Sequence, residues 1–292
     1  MKFALFGKSI RKENYPYLLQ LIDKLEEYEC ELMAYRPYLE DLRKNDDFNY
    51  DLIPFSSHDD LKGNADMVLS IGGDGTLLDT VSLVRDSGIP VLGINLGKLG
   101  FLSSISRDEI IPAVDKVIRG DYTLDQRTLL HLTAKEGLFG NFSYALNDFT
   151  VTRRDSTALV VIHVHVDGVF LNSYWADGLI VATPTGSTAY SLSSGGPIVS
   201  PGSENFVITP LAPHNLTVRP IVISDKSEIR IHVEGRDKKY LVSLDSKTDV
   251  IKPGDELHIR SADFKFNLVK IEHKDFYTTI RDKLKWGLDV RN

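Results

Sequence analysis

Two glycines, an aspartate and a third glycine stand where a strand-like run gives way to a helical one. That junction restricts the fold more than any other stretch. Met67-Val68-Leu69-Ser70-Ile71 is apolar and strand-like; Gly72-Gly73-Asp74-Gly75-Thr76 follows; from Leu77 the pattern turns helical. Glycine reaches positive φ without strain and has no Cβ to hold a ligand off the main chain. Peptide N–H groups of such a turn, backed by a helix N-terminus, attract phosphate. A carboxylate among them repels phosphate unless a metal ion or a proton-transfer task compensates. Taken alone, the turn is equally an ordinary strand-to-helix connection with an aspartate N-cap.

Around the turn, strand and helix alternate. Phe3–Phe6 reads as a strand, Pro16–Glu27 as a helix with Leu18, Leu21, Ile22 and Leu25 on one face, and Glu31–Ala34 as a strand. Pro37–Lys44 reads as a short helix, Asn45–Gly63 as an irregular surface excursion, Leu77–Arg85 as a helix and Pro90–Ile94 as a strand. That strand runs into a second glycine turn, Asn95-Leu96-Gly97-Lys98-Leu99-Gly100-Phe101. Ser106 and Glu109 form a capping box ahead of a helix that ends at Gly120, with Pro112 an awkward early residue. Nearly continuous apolar strands alternating with helices predict a Rossmann-like parallel α/β domain over residues 1–121. Its ligand belongs at the carboxyl ends of the strands, where both glycine turns fall.

After Tyr122 strands follow one another, including Leu129–Ala134, Phe142–Leu146, Phe149–Thr152, Leu159–Val166, Val169–Ser173, Leu179–Thr183, Phe206–Thr209, Tyr240–Leu244 and Phe266–Val269, with Asp167-Gly168 as a hairpin turn. This predicts an antiparallel β domain over 122–274. A last helix, Tyr277–Trp286 within 275–292, is expected to pack back on the N-terminal domain. A chain of 292 residues suits two such domains. The net charge of −7 and the lack of a long basic run argue against a nucleic-acid or anionic-membrane partner. No apolar run approaches the ~20 residues of a membrane span, and the apolar N-terminus stops too soon for a signal peptide. Cys30, the single cysteine, fits a reducing cytoplasm.

A second stretch carries chemistry. Asp177-Gly178 leads through an apolar strand to Thr183-Pro184-Thr185-Gly186-Ser187-Thr188-Ala189-Tyr190-Ser191-Leu192-Ser193-Ser194-Gly195-Gly196-Pro197. Hydroxyls and backbone N–H groups dominate, and Asp177 is its only charge. This suits a neutral polar ligand such as a nucleoside, or phosphate at a helix N-terminus, with Tyr190 offering an aromatic face to a base. A Ser/Thr-rich loop with N-caps accounts for the same composition. Leu146-Asn147-Asp148 places an amide beside an acid at a strand boundary, suited to a base edge and a ribose hydroxyl or simply to a turn. His163 and His165 share one face of a strand and read as a sheet-surface pair.

These pieces, in this order, resemble the NAD kinase family. The resemblance rests on Gly72–Thr76, Gly93 to Leu102, Leu146-Asn147-Asp148, Asp177 to Pro197, Pro213-His214 and Arg219-Pro220. The Gly-Gly-Asp-Gly element alone is shared with diacylglycerol and sphingosine kinases; the Thr-Pro-Thr-Gly-Ser-Thr-Ala-Tyr run is far more specific. The resemblance implies phosphorylation of the adenosine ribose 2′-hydroxyl of NAD by ATP with a divalent cation, Mg²⁺, to give NADP. It also implies a homodimer or homotetramer in which neighbouring subunits complete the NAD site. Asp74 would accept the hydroxyl proton, and Gly72, Gly73 and Gly75 with Thr76 would line the phosphates. NAD would contact Asp74, Gly75, Asn147, Asp148, Trp175, Asp177, Thr188, Ala189, Tyr190, Ser191, Leu192, Ser193 and Ala212; metal ligands are unassigned. The chain departs from the family pattern at Asp148, where glutamate is commoner, at Trp175, where many members have a basic or other polar residue, and at Lys247, where some have glutamine. With no Gly-x-x-x-x-Gly-Lys-Ser/Thr loop in the chain, phosphate charge falls to metal, glycine-loop amides, and Lys98 or Arg153. Two other readings remain open at this stage: a lipid kinase sharing the glycine turn, and a non-catalytic dinucleotide sensor.

Overall fold

The structure is a computed structural model that describes residues 1–97, 100–103, 105–135, 137–140, 142–154, 159–235, 238–271 and 275–286. The chain divides into two compact units, Met1–Gln126 with Asn267–Asn292, and Arg127–Phe266.

The first unit is built on a sheet with the strand order Ile53–Phe55, Glu31–Tyr35, Lys2–Phe6, Met67–Ile71, Val91–Asn95, Phe266–Lys270, Thr123–Arg127. The first six of these strands pair in parallel. Every residue of Met67–Ile71 and of Val91–Asn95 is buried, as a strand covered on both faces requires. Tyr15–Glu27 buries Leu18, Leu21, Ile22 and Leu25, and Ile110–Arg119 buries Ile110, Ala113, Val114 and Val117, in one core with the strands. Ser106 and Glu109 do form a capping box, seating a short 3₁₀ turn before Ile110. Pro112 thereby falls in the first turn of the helix, where no intrahelical bond to its nitrogen is missed. Gly120 ends the helix in the left-handed region at φ 77°. The order of connection reverses between Lys2–Phe6 and Met67–Ile71, which makes their carboxyl ends the switch point where ligands of such sheets bind.

Several details differ from the sequence reading. Phe266–Val269 does not belong to an antiparallel sheet: the strand Phe266–Lys270 lies parallel to Val91–Asn95, with Leu268 opposite Val91. Thr123–Arg127 is an unpredicted strand in the same sheet, missed because its one aliphatic residue, Leu124, faces solvent. The supposed excursion contains a short strand, Ile53–Phe55, and a capped turn of helix, His58–Leu61. Lys247–Ile251 is a further strand, hairpinned to Tyr240–Leu244, whose polar residues hid it. The last helix runs Phe276–Leu284 and belongs to the first unit.

The second unit contains two six-stranded sheets with antiparallel pairing throughout. One has the order Ile221–Ser224, Asn205–Leu211, Gly178–Ala182, Asp148–Arg153, Tyr240–Leu244, Lys247–Ile251. The other runs Val169–Ala176, Val160–Val166, Ile229–Glu234, Glu256–Ser261, Leu130–Thr133, Tyr144–Ala145. Both contribute to one core, in which Phe149, Val181 and Phe206 of the first meet Ile162, Ile231 and Leu257 of the second. Period-two alternation places these residues inward. His163 and His165 lie on the half-buried outer face: His163 bonds Ser173 Oγ at 2.7 Å, and His165 packs edge-on against Phe170. Phe149 is completely buried between Val181 and Leu244 of its neighbouring strands. Phe149→Ala is therefore expected to lower this unit's unfolding free energy by about 3–5 kcal/mol, read from the urea midpoint.

Candidate functional site

The helix after the first glycine turn begins at Asp74, with Gly73 in the N-cap position and no side-chain cap. Asp74 is thus not an N-cap. Its carboxylate turns to the second glycine turn: Oδ2 accepts from the backbone N–H of Phe101 at 2.7 Å, and Oδ1 from Leu102 and Ser103 at 3.1 and 3.0 Å. A carboxylate has about four acceptor positions. Three are used among the described residues, and the one left is on Oδ2. Gly100 makes this possible, because a Cβ there would overlap the Asp74 carboxylate. Gly93 likewise lets the loop approach, since a Cβ would lie 2.8 Å from the Ser103 Cα. Gly72, at φ 153°, has no room for a Cβ beside Thr76.

Gly73 and Gly75 differ from these three. A Cβ at either would meet nothing within 4 Å among the described residues, so packing does not demand glycine there. Their N–H groups lie in the first turn of the helix, where no intrahelical acceptor exists, and its dipole favours an anion. Alongside is a cavity of about 450 Å³ lined by Ser9, Arg11, Asn14, Gly72, Gly73 and Asn95, among others. It lies at the switch point of the sheet. Lys8 extends from the end of the first strand to pair with Asp79. Lys98 lies outside the described residues.

In the second unit, Leu146-Asn147-Asp148 enters the strand Asp148–Arg153. The Asn147 carbonyl accepts from Thr183 N–H at 2.8 Å, and the Leu146 carbonyl from Thr183 Oγ1. Gly186 packs so tightly on Asn147 that a Cβ would overlap its carbonyl oxygen. Most hydroxyls of the Thr183–Ser194 stretch are structural ties. Ser187 Oγ donates to the Pro184 carbonyl and accepts from Val199 N–H, Ser191 bonds Thr209 at 3.0 Å, and Thr185 accepts from the buried Arg127 at 3.0 Å. Ser191 is fully buried, whereas Tyr190 and Ser193 are exposed and Thr188, Ala189 and Leu192 half-buried. The surface this stretch presents is accordingly the Tyr190 side chain and the Ser193 hydroxyl, with half-buried parts of Thr188, Ala189, Leu192 and Ser194 beside them. Asp177 pairs with Arg153 at 3.1 Å, which occupies that cation; Asp155 lies outside the described residues. Trp175 is 57% exposed, and its carbonyl accepts from His214 N–H at 2.8 Å. Ala212 is exposed and held at φ 42°, a left-handed conformation that costs a residue with a Cβ about 1–2 kcal/mol. Lys247 is held over the Phe142 ring, 3.9 Å from its centroid.

Asp148 is buried. Burial pushes its carboxyl up to about 7, and the negative charge of Asp245 beside it adds to the shift. Sequence reasoning passed over Asp245, which accepts three backbone N–H bonds from Leu146, Asn147 and Asp148. Nothing in Ser243-Leu244-Asp245-Ser246 marks it, since a turn aspartate is commonplace. It also passed over Arg127 and the donor role of Phe101 to Ser103.

The fold has close counterparts. Yeast NADH kinase, solved with NADH, superposes with a TM-score of 0.88 at 29% identity, covering 99% of this chain and 89% of that one. An NAD kinase from Archaeoglobus fulgidus, solved with ATP, shares the fold at a TM-score of 0.75 and 24% identity, covering 98% and 99%. In sequence, residues 8–122 match the ATP-NAD kinase N-terminal domain and residues 146–271 the ATP-NAD kinase C-terminal domain. NAD kinases of Cytophaga hutchinsonii, Flavobacterium psychrophilum and Bacteroides fragilis are 45%, 43% and 41% identical, with full coverage of both chains in each case. The chain belongs to the ATP-NAD kinase family. Neither the lipid-kinase nor the sensor reading finds support among these relatives.

Asp148 has a consequence for stability. An acid whose folded pKa exceeds its unfolded one binds more protons when folded between about pH 4 and 7. Its contribution therefore falls as pH rises through that window, by up to about 4 kcal/mol. Asp148→Asn is expected to remove this fall. Urea midpoints measured from pH 4 to 8 should drop less in the variant than in the wild type.

Proposed function

We propose that this protein is an NAD kinase, transferring the γ-phosphoryl group of ATP to the 2′-hydroxyl of the adenosine ribose of NAD to give NADP. The observation that carries the reading is the Asp74 carboxylate, immobilised by three peptide N–H groups at the mouth of the switch point with one acceptor position on Oδ2 left open among the described residues. A ribose hydroxyl is a poor nucleophile. As its oxygen bonds to the γ-phosphorus and the bond to the β-phosphate oxygen breaks, Asp74 takes the hydroxyl proton. The N–H groups of Gly73 and Gly75 bind phosphate, and the 450 Å³ cavity beside them accommodates part of the donor. Asn147, Asp148, Asp177 and the exposed edge of Thr188 to Ser193 bind the dinucleotide, with Trp175 and Ala212 at its border.

A divalent cation, Mg²⁺ by preference, is part of the proposal. Among the described residues no group of three or more His, Cys, Asp or Glu side chains could hold a metal ion. Mg²⁺ is commonly held by one or two carboxylates together with substrate phosphates. When bound to the donor, such an ion would neutralise charge on the phosphoryl oxygens. We further propose a cytoplasmic homodimer or homotetramer. Val169–Ala176 is an edge strand with Val169, Phe170 and Trp175 exposed, an arrangement that favours cover by another subunit. Among the described residues no helix is long and apolar enough to cross a membrane.

Purified protein with ATP, Mg²⁺ and NAD is expected to form NADP, detected with an NADP-specific dehydrogenase. Failure with every phosphate donor would reject the assignment. Asp74→Asn should lower kcat by about 10²–10⁴-fold while the protein stays folded. Gly75→Ala separates function from stability. The added methyl meets open space and suits a helix, so the melting temperature should hold or rise. Because it crowds the phosphate, kcat/KM should fall.

A further inference from the structure

Asp245 occupies the turn between Tyr240–Leu244 and Lys247–Ile251, at φ 49°. Its own N–H donates to the Asp148 carbonyl at 3.0 Å. Its carboxylate reaches back over the same segment. Oδ2 accepts from Leu146 N–H at 2.7 Å, and Oδ1 from Asn147 and Asp148 N–H at 2.8 and 3.0 Å. From the other side, Thr183 binds the Leu146 and Asn147 carbonyls, and Gly186 closes on Asn147 without room for a Cβ. The tripeptide is thus gripped through its main chain from two separate elements, which fixes the points from which the Asn147 and Asp148 side chains depart.

The grip has a cost. Asp245 sets a negative charge beside the buried Asp148, which opposes ionisation of that residue. A neutral turn residue would avoid the repulsion but lacks the acceptors for three convergent donors. We propose that Asp245 is a positioning residue for the adenosine half of the dinucleotide: without touching the ligand, it fixes the angle at which Asn147 and Asp148 meet the ribose and base. The inference rests on the NAD kinase reading. It goes further in making affinity for NAD, and not for ATP, depend on a residue of the adjoining hairpin turn.

The test uses the full chain as wild type, Asp245→Asn and Asp245→Ala, with steady-state NADP formation at varied NAD and varied ATP and thermal melting of each. Removing a charged acceptor of buried N–H groups is worth about tenfold or more. Asp245→Ala should therefore raise KM for NAD by about tenfold or more and leave KM for ATP within about twofold. Asp245→Asn keeps one acceptor oxygen but turns an NH₂ toward a third donor, so its KM for NAD should lie between the other two. A merely structural role would lower the melting temperature and the active fraction while leaving KM for NAD at the wild-type value. That outcome, or equal rises in both KM values, overturns the inference. Should Asp245→Ala fail to fold, the KM split in Asp245→Asn decides alone. A wild type that makes no NADP rejects the kinase reading itself, whereas an active wild type whose variants keep its KM for NAD rejects only the positioning role.

Discussion

The carboxylate of Asp74 and the three peptide N–H groups of Phe101, Leu102 and Ser103 form the contact on which the first unit's candidate site is built. A charged side chain at the start of a helix ordinarily points to water or caps its own helix. This one is spent on a loop that follows a different strand, and so locks two adjacent strand ends together. The glycines fall into two groups once the contact is recognised. Gly72, Gly93 and Gly100 are needed because backbone and side chains come too close for a Cβ, whereas Gly73 and Gly75 have nothing within 4 Å of such a Cβ among the described residues. Packing among the described residues accounts only for the first group.

The second unit uses the same physical device with different elements. Asp245 gathers the N–H groups of Leu146 to Asp148 as Asp74 gathers those of Phe101 to Ser103. In both cases an acid organises a short irregular segment by supplying convergent acceptors that water would otherwise provide. The hydroxyls of Thr183, Ser187 and Ser191 act similarly, satisfying main-chain or neighbouring hydroxyl groups in a turn that is almost completely buried. A segment rich in small polar residues can thus be rigid because its polar atoms are internally matched, leaving few side chains for recognition.

Much of this was legible in the chain itself. Met67–Ile71 and Val91–Asn95 announce buried parallel strands through unbroken apolar runs, and the glycine turns locate the switch point. The alternation in Val160–Val166 and Tyr240–Leu244 announces a one-sided sheet. What stayed hidden depends on pairing across long separations. Thr123–Arg127 and Lys247–Ile251 are too polar to look like strands and owe their form to their neighbours. Phe266–Lys270 looks like a strand, but no local signal states which sheet it joins. At the site, the residue types were readable and their partners were not. Asp74 suggested a base without disclosing the N–H groups that aim it, and the hydroxyl-rich run suggested a ligand surface where most of its oxygens bond internally.

The placement of Phe266–Lys270 bears on how the chain is made. Val91–Asn95 can pair early with Met67–Ile71 and, at Ile94 and Asn95, with Ile105–Ser106, but Val91 gains its partner Leu268 only after the whole antiparallel unit has been synthesised. Emerging from the ribosome, the first unit therefore holds a sheet that still lacks Phe266–Lys270, with Val91 at the start of its apolar strand missing that neighbour. Such an edge invites pairing with another nascent chain. The intervening unit, whose pairings are all antiparallel and internal, can fold meanwhile and bring the missing strand within reach. Chain order here makes completion of the first sheet wait for the second unit, so a prematurely released chain leaves the ribosome with that sheet unfinished.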